Sequence, residues 1–132
     1  MRVLIVEDDA VQRRLLEKKL LGAGHEVRWA TTVGAAQLLL DSEPFGIVLL
    51  DVGLGHEDGL DVARYMRAKP SLRDVDIVVI SGLSADEVRE RATSNVLKGK
   101  RLMLPKPLGS ENLEILLGYI RAKEKSAGAA EE

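Results

Sequence analysis

Four short apolar segments, separated by longer segments of mixed polarity, define the hydrophobic pattern of the chain. Each is too short for a helix, and the first three are rich in β-branched side chains, which is typical of strands. Because polar residues do not alternate within them, we expect strands covered on both faces, as in a parallel sheet between helices. In a fifth segment, Glu26–Ala30, polar and apolar residues alternate, which predicts a strand at the sheet edge. The four apolar segments are Val3–Val6, Ile47–Leu50, Ile77–Ile80 and Leu102–Leu104.

Segments with helical spacing fill the gaps between these strands. They are Val11–Ala23, Val33–Leu40 after a candidate cap at Thr32, a stretch with Leu60, Ala63 and Met66, a stretch with Ala85, Val88, Ala92 and Val96 as its buried stripe, and a last stretch with Leu113, Leu116, Leu117 and Ile120. Ser84 and Glu87 have the spacing of a capping box for the fourth helix. Strand and helix alternate five times, which predicts an α/β fold with a doubly wound sheet.

Composition and charge then exclude several classes of protein. The chain has 132 residues, 45% of them apolar, and 19 Lys+Arg against 21 Asp+Glu, so its formal net charge is −2. We expect one domain over residues 1–121 and a charged, small-residue tail, 122–132, that is flexible. A nearly balanced charge argues against a nucleic-acid partner. The absence of cysteine excludes disulfides and thiolate zinc sites. No apolar segment approaches the roughly 18 residues of a membrane span, so we expect a cytoplasmic protein without membrane insertion.

Chemically capable side chains follow the predicted strands, at the edge where a doubly wound sheet carries its functional cleft. Neighbouring carboxylates in a partly desolvated cleft repel one another, and they are costly to keep ionised without a cation. Ligands that are all oxygen favour a hard ion, and Mg²⁺ suits a few carboxylates with waters and a phosphate. The residues at these strand ends are Glu7, Asp8, Asp9, Asp51, Ser81 and Lys106.

Three of these residues also have a plainer interpretation. Asp9 would serve as the N-cap of the first helix, Ser81 could simply end its strand, and Lys106 alone would be an ordinary surface lysine. Independent strand ends agree, however, and Lys106 lies between two prolines directly after a strand. We therefore favour a positioned counter-charge at Lys106. His56 is interpreted as an exposed loop residue without a catalytic role. His25 gives even less reason to expect a functional role.

Five short motifs resemble, in order and spacing, those of the receiver domain of two-component response regulators. They are Val6–Asp9, Val48–Asp51, Asp58–Gly59, Ser81–Gly82 and Lys106–Pro107. The resemblance extends over about residues 2–121. It implies a flavodoxin-like fold, with a five-stranded parallel sheet of order 2-1-3-4-5 and five helices.

The resemblance also implies a role for each site residue. Asp51 would be the phosphoryl acceptor, with Lys106 and Ser81 binding phosphoryl oxygens. Asp8 and Asp51 would bind Mg²⁺ directly, Glu7 mainly through water, and Gly53 through its backbone carbonyl. The peptide bond before Pro107 is expected to be cis. The domain would catalyse its own phosphorylation and dephosphorylation, although it would chiefly be a signalling switch.

The implied partners are those of a two-component pathway. The phosphoryl group would come from a sensor histidine kinase or a histidine phosphotransfer protein, and an effector protein that the sequence does not name would read the result. We expect a monomer or weak dimer.

A stand-alone receiver is our first interpretation, because Met1 stands immediately before the first strand. The alternatives are a receiver cut from a longer regulator or hybrid kinase, with the tail as linker, and an interaction module that is not phosphorylated. A phosphatase or nucleotide-binding protein is less favoured, since no Walker-type loop is present.

Three positions depart from the family pattern. Met103 stands where the family usually has an aromatic switch residue, so we expect output to be weaker or to be read on another face. Gly55 stands where proline is common and predicts a more mobile loop beside the acceptor. The region 95–101 lacks the usual Gly-Ala pair, which leaves the end of the fourth helix open.

Overall fold

The computed structural model describes residues 1–92, 97 and 102–131. Five parallel strands form the main sheet in the order β2-β1-β3-β6-β7, and β4 and β5 form a small antiparallel hairpin. With the five main strands counted alone, this is the predicted order 2-1-3-4-5, and the predicted α/β class is confirmed. The strands are β1 (Arg2–Val6), β2 (Glu26–Ala30), β3 (Ile47–Asp51), β4 (Gly53–Leu54), β5 (Glu57–Asp58), β6 (Asp76–Ser81) and β7 (Met103–Pro105). The helices are α1 (Ala10–Gly22), α2 (Val33–Ser42), α3 (Leu60–Ala68), α4 (Ala85–Arg91) and α5 (Ser110–Glu131).

The sheet separates two apolar layers, because successive residues of a strand point to opposite faces. Leu4 and Val6 of β1 pack into a cluster with residues of α2 and α3. Val3 and Ile5 pack into the other cluster, with residues of α1 and α5. Burial on both faces explains why these strands are continuously apolar. β2 lies at the edge, and its alternation reflects its half-exposed position.

Helix starts follow the predicted caps. The side chain of Asp9 accepts hydrogen bonds from the backbone of Val11 and Gln12, at 2.9 and 3.2 Å, and therefore caps α1. Thr32 caps α2 through Ala35, at 3.1 Å. The predicted capping box of α4 is present.

The buried stripe predicted for α4 is only partly correct. Val88 is buried, but Ala85 in the first turn is exposed. A small side chain in a first turn gains little from burial, and the helix meets the sheet at Val88. Ala92 is half-buried and packs against the core, whereas Val96 lies outside the described residues.

α5 continues beyond the predicted domain boundary. Residues 122–131, expected to form a flexible tail, are helical. Alanine, lysine and glutamate are good helix formers, which accounts for the continuation. Lys123 pairs with Asp76 at 3.2 Å, and Glu124 pairs with the amino group of Met1 at the same distance. The boundary at residue 121 stays a prediction.

Two features were not predicted. Strands β4 and β5 have two residues each, too few to produce a periodic pattern, and Gly55 at φ +58° lies in the two-residue connection between them. His25 is buried, at 8% exposed, and its sequence context gives no sign of this burial. None of the helices in the described part of the chain is both long and apolar enough to cross a membrane.

Candidate functional site

Two acidic side chains meet where β1 and β3 end. The strands pair in parallel, with Val6 opposite Leu50, so Glu7, which follows β1, and Asp51, which ends β3, reach the same edge of the sheet. Glu7 is 2% exposed and Asp51 is 5% exposed. Asp8 is exposed, yet one of its carboxylate oxygens lies within 4.8 Å of oxygens from both Glu7 and Asp51. The predicted acidic cluster is therefore assembled by sheet topology.

Lys106 brings a cation to these carboxylates. Its side-chain nitrogen lies 2.7 Å from Asp51 Oδ2 and 2.7 Å from Glu7 Oε2. The backbone N–H of Lys106 donates to the carbonyl of Ser81 at 3.0 Å, which fixes the base of the side chain at the end of β6. The Lys106–Pro107 peptide bond is cis.

One ammonium group faces two buried carboxylates, and the pKa of Glu7 reflects that imbalance. Burial raises the pKa of Glu7 to about 7, because desolvation and repulsion by Asp51 outweigh the hydrogen bonds from Lys106 and from the backbone of Asp9. Burial alone would lower the pKa of Lys106, but its hydrogen bonds to Asp51 and Glu7 raise it overall. The site thus has an excess of negative charge that a divalent cation would neutralise.

The oxygen ligands in this cluster fit Mg²⁺. Glu7, Asp8 and Asp51 are hard donors, and their carboxylates are close enough to share one ion. Gly53 lines the same cleft as Asp51, which places its backbone beside the cluster. Asp9 is not part of this cluster: its carboxylate caps α1, while its backbone N–H donates to Glu7 Oε1 at 3.0 Å. Asp9 therefore holds Glu7 in place rather than joining the ligands.

The backbone around Asp51 is tightly packed. The N–H of Gly53 donates to Asp51 Oδ1 at 3.0 Å, and the N–H of Gly59 donates to the carbonyl of Val52 at 2.7 Å. A β-carbon on Gly59 would lie 1.9 Å from the carbonyl oxygen of Asp51. Glycine is the only residue that allows α3 to begin so close to the end of β3. The sequence recorded Asp58–Gly59 as a motif, but the reason for the glycine appears only in three dimensions.

Ser81 connects two cavities. It is buried at the end of β6, and its Oγ accepts the N–H of Leu83 at 3.0 Å. On one side it lines a cleft of about 400 Å³ together with Asp51 and Gly53. On the other side it lines an apolar groove of about 220 Å³ with Val88 and Met103. Met103 is half-buried and packs against the core.

Two residues of the cleft were missed by the sequence analysis. Glu57 lines the cleft, and its Oε1 accepts the N–H of Val33 at the start of α2, at 3.1 Å. Arg91, in the last turn of α4, also lines it. Neither follows a strand of the main sheet, so the strand-end argument did not reach them. His56 is exposed, as expected.

Comparison with known proteins identifies the family. Residues 3–117 match the model of the response regulator receiver domain. The chain belongs to this family. As a receiver domain it is similar to the response regulator receiver protein CpdR of Brucella abortus strain 2308, with 37% identity over 84 residues, which is 64% of this chain and 68% of CpdR.

Similarity extends to receivers inside sensor kinases. The sensor protein TorS of Escherichia coli K12 is 32% identical over 124 residues, which is 90% of this receiver but only 13% of TorS. Among solved structures, the receiver domain of the sensor histidine kinase PA1611 of Pseudomonas aeruginosa PAO1 matches with a TM-score of 0.73 and 25% identity, covering 88% of this chain and 93% of that one. That structure has a magnesium ion coordinated in its active site cleft. This receiver thus resembles both regulators and parts of much longer kinases.

Proposed function

We propose that this receiver takes a phosphoryl group onto Asp51 from a phosphohistidine of a sensor histidine kinase or a histidine phosphotransfer protein. One observation carries the proposal. Asp51 lines an open cleft while its Oδ2 lies 2.7 Å from Lys106 and its carboxylate lies beside those of Glu7 and Asp8. A carboxylate held in this way is a nucleophile next to cation-binding groups.

The transfer is a balanced substitution at phosphorus. An oxygen of the Asp51 carboxylate forms a bond to phosphorus as the phosphorus–nitrogen bond of phosphohistidine breaks. The electron pair of that bond stays on the imidazole ring, which leaves as neutral histidine because its other nitrogen carries a proton. The product is an aspartyl phosphate, and hydrolysis by water would return the carboxylate and inorganic phosphate.

Mg²⁺ fits the acidic cluster as the required cation. Asp8 and Asp51 would hold it directly, Glu7 mainly through a water, and Gly53 through its carbonyl. When bound, the ion neutralises charge on the phosphoryl oxygens. The magnesium ion of the PA1611 receiver supports the same assignment here.

Lys106 and Ser81 supply the remaining contacts to the phosphoryl group. The Lys106 ammonium would exchange its hydrogen bond with Asp51 for one to a phosphoryl oxygen. The Ser81 hydroxyl would move toward another oxygen, giving up the N–H of Leu83 that it now accepts. Because Ser81 also lines the apolar groove, this movement would change the groove beside Met103 and thereby bias partner binding.

Met103 makes the output of this switch unusual. A flexible thioether packs in the groove in more than one way, but it lacks the hydroxyl tip of the aromatic residue common in the family. We infer weaker coupling through this groove, or output on another face. A Met103→Tyr variant should therefore gain affinity for its effector on phosphorylation, and unchanged affinity would contradict this inference.

The similarity to TorS supports an alternative in which this receiver is part of a hybrid histidine kinase. A receiver of a hybrid kinase would pass the phosphoryl group on, whereas a stand-alone receiver that acts by protein contact would keep it until hydrolysis. Profiling phosphotransfer from candidate kinases and to phosphotransfer proteins distinguishes these contexts. A receiver that only binds partners is the other alternative, and its acidic cluster would then have no chemical use.

Intact-mass spectrometry tests the proposal. The chain is incubated with Mg²⁺ and phosphoramidate, and the Asp51→Asn variant serves as the matched control. We expect a single added phosphoryl group on the unsubstituted chain and none on the variant, because an amide is not a nucleophile at phosphorus. An adduct on neither protein would overturn phosphoacceptance and favour an interaction module.

A further inference from the structure

Arg91 is a cation of the phosphoryl cleft that the receiver motifs do not include. It lies in the last turn of α4 and lines the cleft of about 400 Å³ that Asp51 and Ser81 also line. Two carboxylate residues, Asp51 and Glu57, line this cleft, and Arg91 is the one cationic lining residue in the part of the chain that the structure describes. The acceptor thus has a second positive group nearby, besides Lys106.

The neighbouring carboxylates do not occupy the guanidinium of Arg91. Glu57 accepts the backbone N–H of Val33, and Asp51 accepts Lys106 and the N–H of Gly53. The side chain of Arg91 makes no ion pair or hydrogen bond within residues 1–92, 97 and 102–131. Its donors are therefore available to an anion that enters the cleft.

The backbone of Arg91 is nevertheless held in place. Arg64 of α3 donates from Nη2 to the carbonyl of Arg91 at 3.1 Å. Its other terminal nitrogen, Nη1, lies 3.2 Å from Asp58 Oδ2 and 2.6 Å from Asp61 Oδ1. This connection joins the end of α4 to the start of α3, which packs against the backbone of Asp51. The base of the Arg91 side chain is thus fixed relative to the acceptor.

On the basis of the proposed function, we propose that Arg91 binds the phosphoryl oxygens of the incoming donor and so accelerates phosphorylation of Asp51. A guanidinium group presents a planar set of donors that suits phosphate oxygens. Lys106 starts out bonded to two carboxylates, whereas the described residues give the guanidinium of Arg91 no such partner, so we expect Arg91 to meet the donor first. The phosphoryl group of the donor is anionic, and its attraction to an exposed cation weakens as salt screens the charges.

The same helix offers a matched control. Arg89 lies two residues earlier in α4 and is exposed, and it pairs with Asp86 at 3.4 Å in place of lining the cleft. Replacing either arginine by glutamine removes one positive charge from α4, so the overall change in net charge is the same. A difference between the two variants therefore reports the position of Arg91.

The experiment measures the second-order rate constant for phosphorylation of the full chain by phosphoramidate with saturating Mg²⁺. We expect Arg91→Gln to lower it about fivefold and Arg91→Lys to retain most of it, while Arg89→Gln leaves it unchanged. Raising the salt concentration should shrink the difference between Arg91→Gln and the unsubstituted chain. Affinity for beryllofluoride, a mimic of the phosphoryl group, should fall by a similar factor in Arg91→Gln.

Two results would overturn the role of Arg91. The first is an equal rate constant for Arg91→Gln and Arg89→Gln. If Arg91→Gln folds poorly, the second is an equal rate constant for Arg91→Glu and Arg89→Glu. In both cases the unsubstituted chain still forms its adduct, so only this inference fails. The absence of an adduct on the unsubstituted chain would overturn the proposed function together with the role of Arg91.

Discussion

The carbonyl oxygen of Asp51 lies 1.9 Å from the point that a β-carbon on Gly59 would occupy. That distance is far inside the contact distance of any carbon and oxygen. The hydrogen bond from Gly59 N–H to the carbonyl of Val52, at 2.7 Å, holds the two backbones together. The backbone position of Asp51, the proposed phosphoryl acceptor, therefore depends on a glycine eight residues away, which lets α3 begin against the end of β3.

Substitution of Gly59 should damage both stability and the site. Gly59→Ala has to displace the backbone of Asp51, and we expect the free energy of unfolding to fall by about 2–3 kcal/mol. Gly118→Ala is the matched control, because Gly118 is an exposed position within α5 and a β-carbon there meets nothing within 4 Å. Glycine is costly inside a helix, so the control should gain about 1 kcal/mol. Urea unfolding measures the free energy of unfolding of both variants. Equal changes in Gly59→Ala and Gly118→Ala would show that the backbone of Asp51 leaves room for a β-carbon at Gly59.

Asp8 and Asp9 are adjacent but make different contacts, so their substitution should change the thermal stabilisation by Mg²⁺ differently. Asp8 belongs to the acidic cluster, whereas the carboxylate of Asp9 caps α1. Mg²⁺ should raise the melting temperature of the unsubstituted chain, because a ligand that binds only the folded state stabilises it. We expect Asp8→Ala to abolish this rise. Asp9→Ala should keep most of the rise while losing about 1 kcal/mol of stability with the cap. A full Mg²⁺ response in Asp8→Ala would contradict the proposed ligand set.

Gly55 should resist replacement, including by the proline common at this position in the family. Its φ of +58° lies in the left-handed region, and proline is restricted to a φ near −65°. Gly55→Ala should cost about 1–2 kcal/mol, and Gly55→Pro should cost more because the β4–β5 turn cannot form as it is. Gly34→Ala in α2 controls for the substitution itself, since a β-carbon there meets nothing within 4 Å. Urea unfolding of the three variants provides the measurement, and a Gly55→Pro variant as stable as Gly34→Ala would refute the assigned turn.

His25 should make the fold sensitive to mild acid. Burial lowers the pKa of His25 from its usual 6.5, although Glu124, with Oε1 at 3.7 Å, acts in the opposite direction. The amino group of Met1, 3.5 Å from Nδ1, adds to the lowering. At His25 the unfolded chain therefore binds a proton more readily than the folded chain, so the contribution of His25 to stability falls as the pH falls below about 6.5. Glu7, whose pKa is raised to about 7, acts in the opposite direction in all the proteins compared.

The test compares urea unfolding at about pH 7.5 and about pH 5.5. His25→Gln keeps a polar side chain but cannot titrate in this range, so it should lose less stability between the two pH values than the unsubstituted chain. The exposed His56 provides the control, and His56→Gln should behave like the unsubstituted chain. Equal losses in all three proteins would contradict the role of His25.

The acidic cluster could be predicted from the strand ends because parallel pairing alone brings Glu7 next to Asp51. Glu57 and Arg91 could not be found in this way, since their approach to the cleft depends on how β5 and α4 pack. Gly59 shows a second limit: a close backbone contact leaves no periodic signal in a sequence. At the end of the chain local composition did not indicate that α5 continues past residue 121, where Lys123 and Glu124 form ion pairs.

The most direct test of the account is the chemical identity of the phosphorylated residue. After incubation with phosphoramidate and Mg²⁺, borohydride reduces an aspartyl phosphate to homoserine, and peptide mass mapping locates the converted residue. We expect conversion at Asp51 alone; it should require Mg²⁺ and should be absent from Asp51→Asn. Conversion at another aspartate, or a phosphoryl adduct that persists in Asp51→Asn, would contradict it.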